Sequence, residues 1–225
     1  MGKYLKLFDT HTQYESYTAD TQNFILPNVS YCEDQANVVH YNPYVPYDPY
    51  NGHEYVDLGL PSGTKWATMN VGATGVTDYG YYYQYGKGDA QYTATSGDSD
   101  YSGTENPLAL SADTAAIVMG GDWHMPTSAQ CAELIANTDY TWATIDGVNG
   151  GKFANKTDAT KYVFLPAAGN WVGGSQNDAG SKGTYWISTP NNSSRAYNLF
   201  LINGRKQMYN DAWRFYGYSV RGVVG

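Results

Sequence analysis

The residues of this chain whose types could do chemistry are scattered rather than assembled. His11, His40, His53 and His124 stand far apart, and His124, beside a helix start, reads as a partly exposed loop residue rather than a general base. Cys32 and Cys131 fit no metal-ligand spacing and read as reduced core thiols. Asp98, Asp100, Ser102 and Gly103 open like a calcium loop, but the twelfth position holds Ala109 where a bidentate Glu is needed. No catalytic residue, metal or cofactor is therefore assigned, and an enzyme is not expected.

The chemistry that the chain does concentrate is that of recognition, over residues 183–225. From residue 185 onward five Lys or Arg (Arg195, Arg205, Lys206, Arg214 and Arg221) face one acid, Asp211, in a chain of formal charge −8. Tyr and Trp give large contact area for few rotatable bonds, Arg adds planar stacking, and Ser, Gly and Asn adapt. Tyr209, Trp213, Phe215, Tyr216 and Tyr218 are the expected hot spots, one or two of them contributing ~2 kcal/mol or more each. Arg195, Arg205 and Lys206 read as steering an acidic partner. Arg214 and Arg221 read as hydrogen-bonding backbone beneath the surface. Core packing is the competing reading for each aromatic singly, and Tyr185 and Trp186 are placed in the core.

These side chains need a strand framework. Beyond Ala196 one strand face carries Tyr197, Leu199 and Leu201, which suit a core, and the other carries Asn198, Phe200 and Ile202. Large apolar residues on an outward face need a partner, or else the sheet is covered on both sides. Upstream, residues 55–60, 65–71 and 161–165 read as strands, with Trp66 and Met69 as core candidates. Residues 79–85 are a Gly-flanked aromatic run, strand or packed loop. Ser111 is the expected N-cap of a short helix through Met119, stopped by Gly120 and Gly121. A second helix is signalled by the capping box of Thr127 and Gln130, and Cys131, Leu134 and Ile135 share its apolar face. Residues 86–106, 146–151 and 169–183 read as loops, the last anchored by Trp171.

Composition bounds the rest. A fold of this size buries roughly 70% of its unfolded surface and needs no disulfides. Only 42% of the residues are hydrophobic and 15% charged, with abundant Gly and Tyr, which points to a β-rich domain with long loops. The acidic balance excludes a general nucleic-acid binder. No apolar run approaches the ~20 residues needed for a bilayer span, so no membrane insertion is expected. The first residues lack the apolar stretch of a secretory signal, so synthesis in a cytoplasm is expected. Residues 1–41 read as a small β-rich module for anchoring or oligomerisation. Residues 42–53 read as a Pro/Tyr-rich linker; from Tyr41 at its border, Tyr44, Tyr47 and Tyr50 follow along one edge of a polyproline II spacer, a partner-groove ligand being the alternative. Residues 54–225 form the main domain.

Several motifs then carry a family resemblance. VDLGLPSGTKWATMNVGAT from Val56, GGDWHMPTSAQCAEL from Gly120, FLPAAG from Phe164, GTYWISTP from Gly183 and RFYGYSVRGV from Arg214 resemble the Fibrobacter succinogenes major paralogous domain. That family has a C-type-lectin-like fold related to formylglycine-generating enzymes and to the variable proteins of diversity-generating retroelements. The resemblance implies an α+β, C-type-lectin-like domain with two helices and small antiparallel sheets. The cysteines that formylglycine-generating enzymes use near the end of the fold are missing, as are the calcium-binding Glu-Pro-Asn and Gln-Pro-Asp motifs of sugar-binding relatives. YLKLFDTHTQYESY and FILPNVSYCED, near the N-terminus, resemble modules fused to phage structural and variable proteins of gut bacteria.

Retroelement variable proteins change at template adenines, so an Asn codon can become many others while supporting codons stay constant. Residues of such types here are Ile187, Asn192, Ser194, Arg195, Phe200, Ile202, Gly204, Arg205, Tyr209, Asn210, Asp211, Ala212, Phe215, Tyr216 and Tyr218. With the aromatic Trp213 they form the expected ligand-binding set. Gly183, Tyr185, Trp186, Leu199, Arg214, Gly217, Val220 and Arg221 match the family framework. The resemblance implies a receptor-binding, host-attachment protein whose C-terminal face takes a protein or glycan on a bacterial surface. It would sit on a virion or phage tail tip, meet other virion or tail proteins through residues 1–41, and assemble as a homo-oligomer such as a trimer. The alternative is a secreted or surface structural or carbohydrate-associated domain of a gut bacterium, without diversification.

Overall fold

In the computed structural model the chain divides into two units, Met1–Tyr47 and Asp48–Gly225. The structure describes residues 48–89 and 101–225. The expected N-terminal module, the spacer up to residue 47, and His11, Cys32, His40, Asp98 and Asp100 lie outside the described residues.

The described part is built of small antiparallel sheets with two helices, an α+β arrangement. Strands β1 (Tyr55–Asp57), β2 (Lys65–Ala67) and β11 (Val223–Val224) form one sheet in the order β1-β2-β11. A second sheet contains β3 (Thr138–Ile145), β4 (Val148–Asn155) and β5 (Tyr162–Pro166) in that order. The third has the order β10-β9-β8, from β8 (Gly183–Pro190), β9 (Arg195–Ile202) and β10 (Arg205–Trp213). A hairpin of β6 (Asn170–Val172) and β7 (Ser175–Asn177) completes the strands, and the helices are α1 (Thr114–Met119) and α2 (Ser128–Asn137). No helix among the described residues is long and apolar enough to cross a membrane.

Residues 48–53, read from sequence as the end of the linker, fold with the second unit. Trp123 Nε1 donates to the Tyr50 carbonyl at 2.7 Å, and Asn51 Nδ2 to the Met119 carbonyl at 2.6 Å. The helix starts obey local chemistry. Thr127 Oγ1 accepts from Gln130 N at 3.2 Å while Gln130 Oε1 accepts from Thr127 N at 2.9 Å, the reciprocal box expected. The first helix starts later than its sequence suggests, because Asp113 and not Ser111 is its N-cap, accepting from Ala116 N at 3.0 Å. The same buried carboxylate accepts from Met125 N at 2.9 and 2.8 Å, so it ties α1 to the segment entering α2. Burial raises its pKa against those stabilising amides.

The loop expected around residues 146–151 is instead a long hairpin, β3 paired to β4 from Thr138↔Asn155 to Ile145↔Val148. Asp146 and Gly147, both at positive φ, make the tight mirror-image turn that matches strand twist. Gly150 and Gly151 look like loop residues but mark close approach. A Cβ on Gly150 would stand 2.5 Å from the Leu165 carbonyl oxygen, and one on Gly151 2.8 Å from the Tyr140 ring. The 169–183 loop likewise contains the β6–β7 hairpin, turned at Gly173 and Gly174. The two early strands are shorter than read, and Met69 is half-buried rather than core. Residues 79–85 are a packed loop with buried Tyr82, Tyr83 and Tyr85, joined to the C-terminal segment by paired Tyr83 and Tyr218 backbone bonds of 2.9 and 3.0 Å.

The β8–β9–β10 sheet stands between two apolar clusters, which explains why β8 is buried on both faces. Tyr185, Ile187, Leu199 and Leu201 join Cys131, Leu134 and Phe153 on one side. Trp186, Ala196, Ala212 and Tyr218 join Trp123, Met125 and Val220 on the other. Cys131 is a free thiol, fully buried, and desolvation keeps it protonated.

Arg221 is buried with no carboxylate against it. Its Nε donates to Asn70 Oδ1 at 2.9 Å, and its terminal nitrogens to the Ala67 and Phe164 carbonyls at 2.8 Å each. Burial lowers its pKa to about 10, which still leaves it charged at neutral pH. Replacement by Leu strands three acceptors that water does not reach, and is expected to cost roughly 3–5 kcal/mol. Arg221→Lys recovers only part of this, since one ammonium does not span the three carbonyl positions. Urea unfolding of the two variants checks the order.

Candidate functional site

The third sheet and the β6–β7 hairpin enclose a cleft of about 420 Å³. Strand pairing fixes its floor. Residues opposite each other in an antiparallel ladder share a face, and β9 with β10 pairs Phe200↔Gln207 and Asn198↔Tyr209. Asn198 and Phe200 therefore point away from the Leu199 and Leu201 core, as the alternation along β9 requires. The register shifts between Tyr209 and Ala212, and this bulge carries Asn210 and Asp211 out to solvent before Ala212 returns to pair Ala196.

Of the expected set, Arg195, Phe200, Tyr209, Asp211, Ala212, Trp213, Tyr216 and Tyr218 line this cleft. Two aromatic groups form its sides. Phe200 meets Tyr209 edge to face at 5.3 Å, with the Arg205 guanidinium 5.5 Å from the Phe200 ring and bonded to the Tyr209 hydroxyl. Trp213 stacks on Phe215 at 5.6 Å, and Phe215 meets Tyr216 at 5.0 Å. The outward Phe200 thus finds its partners within this face. Ile202, half-buried on the same strand face, lies beside the Asn203–Gly204 turn, and its carbonyl accepts from Tyr140 Oη at 2.7 Å.

Other members are placed differently. Ile187 is fully buried in the core, so it has no surface to display; its type was consistent with display, but its position on a doubly covered strand is not. Tyr218 reaches the cleft, yet it is 6% exposed and lies over Trp186 at 4.3 Å, so most of its ring is core. Ala212 is similarly buried at the cleft wall. Asn192 builds the β8–β9 loop: its Oδ1 accepts from Ser194 N and Arg195 N, both at 2.9 Å. Gly204, at φ 76°, makes the β9–β10 turn. Arg195 is not a free steering charge, because its guanidinium lies 3.4 Å from the Trp213 ring centre and donates to the Asp211 carbonyl. Lys206 faces the opposite side of the sheet, 5.1 Å from the Tyr140 ring.

Arg214 holds the rim from beneath. It is 1% exposed and donates to the carbonyls of Arg195 at 3.3 Å, Tyr101 at 3.2 Å, Gly103 at 2.8 Å and Asn192. Its charge also lies 4.8 Å from the Tyr85 ring.

The cleft contains residues that a search by type passed over: Gly169, Asn170, Asp178, Lys182, Thr184 and Asn198. Asp178 and Lys182 neutralise each other at 2.9 Å, and the Thr184 hydroxyl is committed to the Gly169 carbonyl. Gly169 is required where it stands: at φ 68°, a Cβ there would lie 2.0 Å from the Asn177 carbonyl oxygen. The period-two pattern of β9 did mark Asn198 as outward; nothing in the sequence marked Asn170. Among the described residues no group of His, Cys, Asp or Glu could hold a metal ion, and neither His53 nor His124 lines the cleft.

These placements separate display from support. Tyr218→Ser removes a ring from the core and is expected to cost roughly 3–5 kcal/mol. Trp213→Ser, at a position 38% exposed, is expected to cost about 1 kcal/mol or less. Thermal unfolding of the two variants measures the contrast, and equal losses would contradict it. Comparison of the chain with protein-family models, curated proteins and solved structures gave no significant match.

Proposed function

We propose that the chain is a ligand-binding protein of the retroelement-variable type, with a C-type-lectin-like domain whose C-terminal face attaches to a protein or glycan on a bacterial surface. The observation that carries this reading is the division of one short segment into two interleaved sets. Trp186, Leu199, Arg214, Val220 and Arg221 are buried, while Arg205, Tyr209, Asn210, Asp211, Trp213 and Phe215 stand exposed or half-exposed on the same strands and turns. Apart from Asp211, whose backbone carbonyl takes the Arg195 guanidinium, these outward residues hold no part of the framework through side-chain bonds. Their types, aromatic with Arg, Asn and Asp, are those that bind with little loss of rotamer entropy. A soluble domain with no partner for this face gains nothing from stacking Trp213 on Phe215 at its surface.

In this reading the protein works by binding alone. Residues 1–41 attach it to a virion, tail or oligomer, and the display face selects the target. Sequencing the gene and its surroundings across a population tests it. The expected result is an adjacent reverse transcriptase, a near-copy of the 3′ end of the gene, and substitutions confined to the near-copy's adenine positions, in the codons of the outward residues other than Trp213, which an Asn codon cannot reach. Codons for Trp186, Arg214 and Arg221 should be unchanged. Substitutions spread evenly over core and surface codons would sink the proposal. The matching binding assay replaces Arg205, Tyr209, Trp213 and Phe215 together by Ser; folding is expected to persist while adsorption to target bacteria is lost.

A further inference from the structure

We infer that the cleft under the displayed residues is a subsite for a neutral sugar, built by the carboxamides of Asn170 and Asn198 at its floor and by aromatic rings at its sides. This inference rests on the binding reading above and goes beyond it by assigning the ligand class to residues outside the displayed set. Asn198 is 4% exposed, lines the cleft, and its side chain makes no hydrogen bond to any described residue. Asn170 lines it too; its amide is hydrogen-bonded to the Tyr218 hydroxyl, while its Oδ1 is shielded and without a partner. A buried polar atom without a partner is uncommon, and the shielded Asn170 Oδ1 together with the unpaired Asn198 carboxamide beside it marks hydrogen-bonding capacity that a ligand fills.

The surroundings select the class. A carboxamide offers both donor and acceptor, which matches a hydroxyl, itself both. The ionic groups of the cleft are already engaged: Asp178 with Lys182, and Arg195 with the Trp213 ring and the Asp211 carbonyl. Burial raises the pKa of the Tyr218 hydroxyl, so that wall too is uncharged. An anionic ligand would need an unengaged cation at the floor, and none lines it. Phe200 and Tyr216 supply flat faces for the C–H face of a pyranose. At about 420 Å³ the cleft is in the range of small-ligand sites, which fits one or two sugar rings better than a flat protein epitope.

The test titrates the full chain with methyl glycosides of glucose, galactose, mannose and N-acetylglucosamine and with their β-linked disaccharides, up to millimolar concentration, followed by ligand-observed and protein-observed NMR. Saturable binding of at least one is expected. Asn198→Ala should weaken it about fivefold to tenfold, the loss of one neutral hydrogen bond, with Asn170→Ala acting in the same direction. Because the Asn198 side chain makes no hydrogen bond within the fold, its replacement should leave the chain folded; if it does not, Asn170→Ala carries the test. Binding by none of the saccharides, or binding unaltered in both variants, overturns the inference. Bacterial adsorption separates this from the function itself. Adsorption that survives periodate oxidation of the cells and both Asn substitutions, but is lost in the four-residue Ser variant, leaves the display face standing and removes the sugar.

Discussion

A buried guanidinium organises the C-terminal end of this protein. Among the described residues Arg214 makes no salt bridge, and desolvation works against its charge more than Tyr85, Tyr101 and Glu105 nearby support it. It is tolerated because four carbonyls from three separate segments converge on it: the segment at Tyr101 and Gly103, the β8–β9 loop at Asn192, and the start of β9 at Arg195. Backbone carbonyls belong to the chain whatever side chain each residue carries. Loops tied through them to one fixed cation keep their course when their own side chains change. Arg221 applies the same chemistry deeper in the fold, joining Ala67, Asn70 and Phe164.

That constraint explains why the C-terminal end was partly legible from sequence. Arg214 and Arg221 read from sequence as hydrogen-bonding backbone beneath the surface, and both are found on backbone carbonyls. The alternation along β9 was readable because Leu199 and Leu201 are buried while Phe200 and Ile202 are half-exposed. The α2 start was readable because a capping box is local. What escaped was long-range. The β3–β4 hairpin was hidden by Gly150 and Gly151, which signal a loop locally but exist because Phe164, Leu165 and Tyr140 press against their backbone. Ile187 was misplaced because residue type says nothing of a strand covered on both faces.

The cleft floor was the hardest feature to read. Asn at a surface and Asn at the bottom of a cleft are the same letter, and only the fold distinguishes them. Asn198 is buried because β9 is the central strand of its sheet, flanked by Trp186 on β8 and Tyr209 on β10. Asn170 arrives from a hairpin whose approach depends on the Gly169 backbone and on mutual bonds between Trp171 and Gly217 at 2.8 and 2.9 Å. The β6–β7 hairpin is thereby hydrogen-bonded to the framework side of residues 183–225 rather than to its displayed side.

Floor and rim consequently have different physical freedoms. The rim residues Arg205, Tyr209, Trp213 and Phe215 contact mainly one another, so changing one alters the shape of the face at small cost to the fold. The floor lies between the apolar core of Trp186 and Tyr218 and solvent, where an added methyl or charge is felt by packed neighbours. In the proposed reading the floor fixes the kind of group the site takes, and the rim tunes the particular partner. For the proposed diversified face this resolves a tension between variation and affinity. Aromatic side chains exchanged at random on a mobile loop would each lose rotamer and backbone freedom on binding; placed on the strands and short turns that Arg214 ties down, they begin with most of that freedom already removed.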